Sequence, residues 1–197
     1  MQAPMIATLD PNSQTAASGV ARRLPLSRDA RATLDRDAGN VRRFLDQLLG
    51  SGLPGDALIV IAHTLPKRYV VAWACDCLKE LLARDARAKD VDRAGLSLAQ
   101  QWLADPTEAN RVAAMDFAER GEFGSPGAWI AASAGWNGGS LAPRGYDVIA
   151  PPDHLPAEAA VAALRLAASE RPDYTGTLGR FIARALQIFG PATSGAR

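Results

Sequence analysis

Pro66-Lys67-Arg68-Tyr69-Val70-Val71-Ala72-Trp73-Ala74-Cys75-Asp76-Cys77-Leu78-Lys79-Glu80-Leu81-Leu82-Ala83-Arg84 is the stretch on which the fold turns. Val70, Val71, Trp73, Ala74, Cys77, Leu78, Leu81 and Leu82 recur at steps of three and four, which is the helical period and not the strand period. Proline at the first position is tolerated because the N–H it lacks would have no partner there. The apolar stripe is wide and continuous, so the segment is predicted to be the central helix. Glu80 and Arg84 sit at i,i+4 on its other side, worth a few tenths of a kcal/mol as surface decoration.

The same reading extends outward in both directions. Leu24-Pro25-Leu26-Ser27 ends in a good N-cap for a short helix carrying Ala30 and Leu34. Val41, Phe44, Leu45, Leu48 and Leu49 form a second helix, stopped by Gly50 and Gly52. The run from Ala57 to Thr64 is β-compatible by propensity, but Pro54-Gly55-Asp56 before it resembles a helix start, and no partner strand is visible elsewhere. Helix is the favoured reading there. Towards the C-terminus, Leu96, Ala99, Trp102 and Leu103 mark another helix. Asp105-Pro106-Thr107-Glu108 reads as the next start, with Asp as cap and Glu at the third position to reach back. Ser125-Pro126 repeats the device for a short helix up to Gly135, and helices from Pro156 to about Ser169 and from Tyr174 to Phe189 complete the chain. The expectation is an all-α fold of about eight helices in an orthogonal bundle or short helical-pair array.

A length of 197 residues suits one compact domain with a core of its own. We expect residues 24–190 to form it, residues 1–23 to be a mobile arm too poor in large apolar groups to order itself, and 191–197 to fray. With 22 Lys and Arg against 21 Asp and Glu, the net charge of +1 offers no field for nucleic acid or anionic lipid. Apolar runs such as Ala57 to Ala62 fall far short of the roughly 20 residues that span a bilayer. Cys75 and Cys77 lie roughly 200° apart around a helix and cannot bridge each other. With no disulfide framework and no visible signal peptide, a cytoplasmic location is expected.

Chemistry is sparse. His63, His154 and the two cysteines are the only soft donors, so neither a metal nor a cofactor is expected. His63 reads as a core histidine bonded to a backbone carbonyl, and His154 as a solvated loop residue. Mid-helix cysteines lack the dipole that lowers a thiol pKa, so both read as packing residues. Asp105, Glu108 and Arg111 can be drawn as an acid–base site, but capping geometry accounts for them better. The tryptophans Trp73, Trp102 and Trp129 fit core positions, while Trp136 adjoins a loop. That loop, Trp136, Asn137, Gly138, Gly139 and Ser140 through Arg144, is the one place where an aromatic, a flexible turn and a cation meet outside regular helix. It is the expected partner-contact segment, with a purely structural corner as the alternative, and Trp136 itself reads as a partly buried support before an anchor.

Five motifs in order resemble a family of uncharacterised bacterial helical domains: Ala62 to Arg68, Val71 to Cys75, Trp102 to Arg111, Ser125 to Trp129, and Gly138 to Pro143. The resemblance covers roughly residues 24 to 170. Members often lie near genes for contractile type VI secretion systems, which implies an accessory, adaptor or immunity-like role. The Trp-Ala-Cys run ahead of an Ala-rich helical pair is also similar to small immunity proteins of polymorphic toxin systems. The resulting expectation is a non-catalytic binding module for a protein partner, such as a secretion-system component, effector or toxin, with no nucleic acid or membrane partner. The alternatives are a small hydrolase-type enzyme using Asp105, Glu108 or His63, and a structural homo-oligomeric subunit.

Overall fold

The computed structural model describes residues 19, 21–36, 41–86, 88–142 and 145–188. It is 72% helical, with nine helices and no strand among the described residues. They are α1 (Arg28–Arg36), α2 (Val41–Gly50), α3 (Pro54–Thr64), α4 (Lys67–Ala83), α5 (Asp90–Ala104), α6 (Glu108–Arg120), α7 (Pro126–Gly135), α8 (Leu155–Ser169) and α9 (Tyr174–Ile188). The all-α expectation holds, with one helix more than the eight expected. Among the described residues no helix is long and apolar enough to cross a membrane. Residues 1–18 and 20 of the expected arm, residues 191–197 that were expected to fray, Phe189 that was expected to end the last helix, and Arg144 lie outside the described residues.

The N-terminal helices stack in chain order, α1 on α2 and α2 on α3. Ser27 caps α1, its Oγ accepting from Ala30 N–H at 3.1 Å, while its own N–H donates to Asp56 Oδ1 at the start of α3. The ambiguous run after Asp56 is helical, and every residue from Asp56 to Ala62 is buried. A helix enclosed all round leaves no polar face to set a 3.6-residue period, which is why propensity alone pointed towards a strand.

α4 packs on α8, α5, α7 and α9. It buries Val70, Val71, Trp73, Ala74, Cys77, Leu78 and Leu82 of the predicted stripe and Cys75 besides, while Leu81 is only partly buried. Trp73 Nε1–H donates to the Phe181 carbonyl of α9 at 2.9 Å, which satisfies the indole inside the core. The more enclosed helix, however, is α7, short and made of small residues, with only Trp129 of its ten less than buried. It touches α5, α6, α8 and α4 at once. Ala and Gly allow neighbouring helices to approach closely, so a helix with little apolar volume of its own takes the middle of the bundle.

Three local expectations are corrected. Helix α6 begins at Glu108 under Thr107, whose side chain accepts from Asn110 N–H, and not under Asp105. Asp105 instead ends α5, its N–H donating to the Gln101 carbonyl, with its backbone extended. A proline disfavours the helical conformation in the residue before it, so the chain straightens through 105–106 before turning again. Pro66 likewise stands just outside α4, which starts at Lys67. The third concerns His63, taken up below.

Candidate functional site

The segment between α7 and α8 is where the chain leaves regular structure, and it is built from both ends. At the start of α7 Ser125 Oγ accepts from Ala128 N–H at 3.1 Å and the buried Asp92 of α5 accepts from Gly127 N–H at 2.9 Å. These two oxygens satisfy donors that a helix N-terminus leaves open, and fix α7 in place. At the other end of α7, Asn137 turns inward, its Nδ2 donating to the Ser133 carbonyl at 2.7 Å. Trp136 is half-buried, stacked on Phe123 at 5.9 Å between ring centroids and tilted against Trp129 at 6.4 Å. Phe123 and Trp129 are themselves 5.1 Å apart, so the three rings pack on one another and support the end of α7.

Phe123 reaches that cluster through an unusual turn. Glu122 and Phe123 both have left-handed backbone, at φ 49 and 54. Phe123 N–H donates to the Ala118 carbonyl at 3.0 Å and thereby closes the end of α6. This is the helix-ending arrangement in which glycine usually holds the left-handed position, here occupied by Glu122.

Beyond Trp136 the loop closes on itself. Ser140 Oγ accepts from Ala142 N–H and Ile149 N–H, each at 3.0 Å, and Leu141 N–H donates to the Ile149 carbonyl at 2.8 Å. These bonds place Leu141 beside Ile149 and make a neck. Four large apolar side chains at and beyond it stand in water, with the exposed Asp147 among them: Leu141 is 48% exposed, Tyr146 74%, Val148 77% and Ile149 59%. Of the expected contact residues, then, Trp136 and Asn137 support the loop, Gly138 and Gly139 turn it, and Ser140 ties its neck. The exposed apolar surface lies further on. Its signal in the sequence was the set Tyr146, Val148 and Ile149, three large apolar residues between prolines with no helical period to bury them.

The residues of the hydrolase-type alternative hold separate posts. Glu108 binds the Arg111 guanidinium at 2.8 and 2.6 Å. Asp105 accepts from Asn110 Nδ2 through its carbonyl at 2.8 Å. His63 is not bonded to a backbone carbonyl as expected. Its Nε2 faces Glu158 Oε1 of α8 at 3.3 Å, and beside that pair Lys67 binds Asp153. Burial lowers the His63 pKa, Glu158 acts against that, and His154 adds to it. His154, exposed as expected, precedes α8.

Cys75 and Cys77 are free and buried. Burial, with a smaller contribution from Asp76, pushes the Cys75 thiol up to about 12, and burial also raises Cys77. Such thiols are poor nucleophiles. One cavity, lined by residues including Leu78, Asp85, Asp92 and Arg171, measures about 20 Å³, about the room a single water needs. Among the described residues no group of three His, Cys, Asp or Glu converges to hold a metal.

A family model described as a family of unknown function, DUF6931, matches residues 44–189. No curated protein and no solved structure matches the chain.

Proposed function

We propose that this chain, which belongs to the family of unknown function DUF6931, is a non-catalytic protein-binding module whose contact surface is Leu141, Tyr146, Val148 and Ile149. One observation carries the reading: four of the six exposed large apolar residues among the described residues sit on this one loop. Singly exposed apolar side chains are ordinary, whereas a cluster of them is a mark of an interaction site. Tyrosine suits such a surface because it offers apolar area with a polar tip. The neck at Ser140 holds the loop before any partner arrives, which reduces the ordering cost of association.

The finer role is an accessory, adaptor or immunity-like one beside a type VI secretion system, with a secretion-system component, effector or toxin as partner. It is supported by the likeness of the five sequence motifs.

A photo-crosslinking residue placed at Tyr146 tests the reading, with Val91, exposed on α5, as the control position. The expected result is one protein, identified by mass spectrometry, joined at 146 and not at 91, and lost in Val148→Asp with Ile149→Asp at unchanged melting temperature. Equal products at both positions, or capture indifferent to the two aspartates, would overturn it.

A further inference from the structure

The last residue of the motif running from Asp105 to Arg111 does more than its own helix requires. Thr107 already caps α6, and Asn110 already ties the corner to Asp105. Arg111 could therefore lie in water without loss to either, yet its side chain is only 11% exposed. Glu108 grips Nε and Nη2, which leaves Nη1 free to donate to the Gly135 carbonyl, the last of α7, at 2.6 Å. That carbonyl lies in the turn where a helix runs out of internal donors, and a cation there also meets the negative end of the helix dipole. Gly139 then lies directly on the guanidinium. It has φ +75, and a Cβ built on it would stand 2.8 Å from Arg111 Nε and closer still to Cζ and Nη2. The next residue is Ser140, whose hydroxyl holds Ile149 N–H.

We propose that Arg111 is the positioning residue of the apolar loop: it connects α6 to the end of α7 and to Gly139, and so sets the direction in which Leu141 and Ile149 leave the bundle. That the loop so positioned meets a protein partner rests on the function proposed above; the positioning itself rests on the contacts of Arg111 alone. Arginine is specifically required, because one planar fork must satisfy a carboxylate with two nitrogens, reach a carbonyl with a third and leave Gly139 room against it.

Amide hydrogen exchange on the full chain tests this, because Leu141 and Ile149 N–H are both bonded in the neck and report its closure. Arg111→Met should speed exchange at these two amides by about tenfold or more, as expected for loss of a charge-assisted hydrogen bond. The buried amides of α4 and α8 should be unchanged, and Arg111→Lys should not restore protection. Gly139→Ala, which keeps Arg111 but forces the loop off it, should produce the same local loss and serves if Arg111→Met fails to fold. Unchanged exchange at Leu141 and Ile149 in the folded variants would overturn the proposal, as would acceleration spread evenly over all helices. Crosslinking at Tyr146 separates it from the function proposed above. A loosened neck in Arg111→Met, with crosslinking of the parent equal at 146 and 91 or indifferent to the aspartate pair, rejects the contact surface and keeps the positioning; an unmoved neck with crosslinking abolished by the aspartate pair does the reverse.

Discussion

The backbones of Gly95 in α5 and Gly127 in α7 touch. A Cβ on Gly95 would lie 2.9 Å from Gly127 Cα and nearer still to its carbonyl, and one on Gly127 would lie 2.5 Å from Asp92 Cα. Because both obstructing groups are backbone, neither can swing aside. Helix propensity favours Gly95→Ala by about 1 kcal/mol, while overpacking a closed contact costs about 1–3 kcal/mol or more. Gly95→Ala and Gly127→Ala should therefore both lower the urea midpoint. A rise for Gly95→Ala would mean that the two helices do not meet there.

Trp73 and Trp102 are both buried. Replacing either with alanine should cost about 3–5 kcal/mol, the range for removing a buried aromatic. Trp73→Phe keeps a ring but loses the N–H bond to the Phe181 carbonyl, about 1 kcal/mol from that bond alone. Equilibrium denaturation checks both, and a Trp73→Ala variant that melts like the parent would remove this residue from the core.

The cysteines give a chemical probe of the same core. Since burial pushes the Cys75 thiol up to about 12 and also raises Cys77, neither forms appreciable thiolate at about pH 8, where an ordinary thiol of pKa about 8.5 reacts. Iodoacetamide should leave the native chain unlabelled and modify both residues in denaturant. Rapid native labelling at either site would contradict the burial of α4.

His63 supplies a pH dependence whose sign follows from its environment. Its folded-state pKa is lowered, chiefly by burial, so the unfolded chain takes up a proton at higher pH than the folded one. The resulting stability is present above the ordinary histidine value of about 6.5 and is lost as pH falls through the lowered folded value. Urea denaturation at about pH 7.5 and about pH 5 should show a larger acid loss for the parent than for His63→Gln. Equal losses in the two proteins would assign the acid sensitivity elsewhere.

The sequence by itself determined most of the helices, because most carry their instructions locally; the enclosed run from Ala57 to Thr64 is the exception. Val70 to Leu82 has the right period, Ser125-Pro126 is a cap followed by a tolerated proline, and Ser27 is a cap whose Oγ does meet Ala30 N–H. Tertiary structure decided what those helices meet. Nothing in PGAWIAASAG announces the most enclosed helix of the bundle, because smallness acts only through what comes close to it, here Gly95 against Gly127. Nothing near Asp92 shows that it accepts from Gly127, 35 positions on. Arg111 reads from the sequence as a partner of Glu108 three residues back, which it is, but its third hydrogen bond runs to Gly135 and its guanidinium lies against Gly139. The segment after Trp136 was legible as a departure from helix, but the exposed apolar residues Tyr146, Val148 and Ile149 lie beyond the stretch to Arg144 that the sequence singled out. Which of its side chains turn in and which stay in water depended on a neck between Ser140 and Ile149. Bonds between residues that distant are set by where the finished helices leave the chain ends, and a local pattern does not encode that.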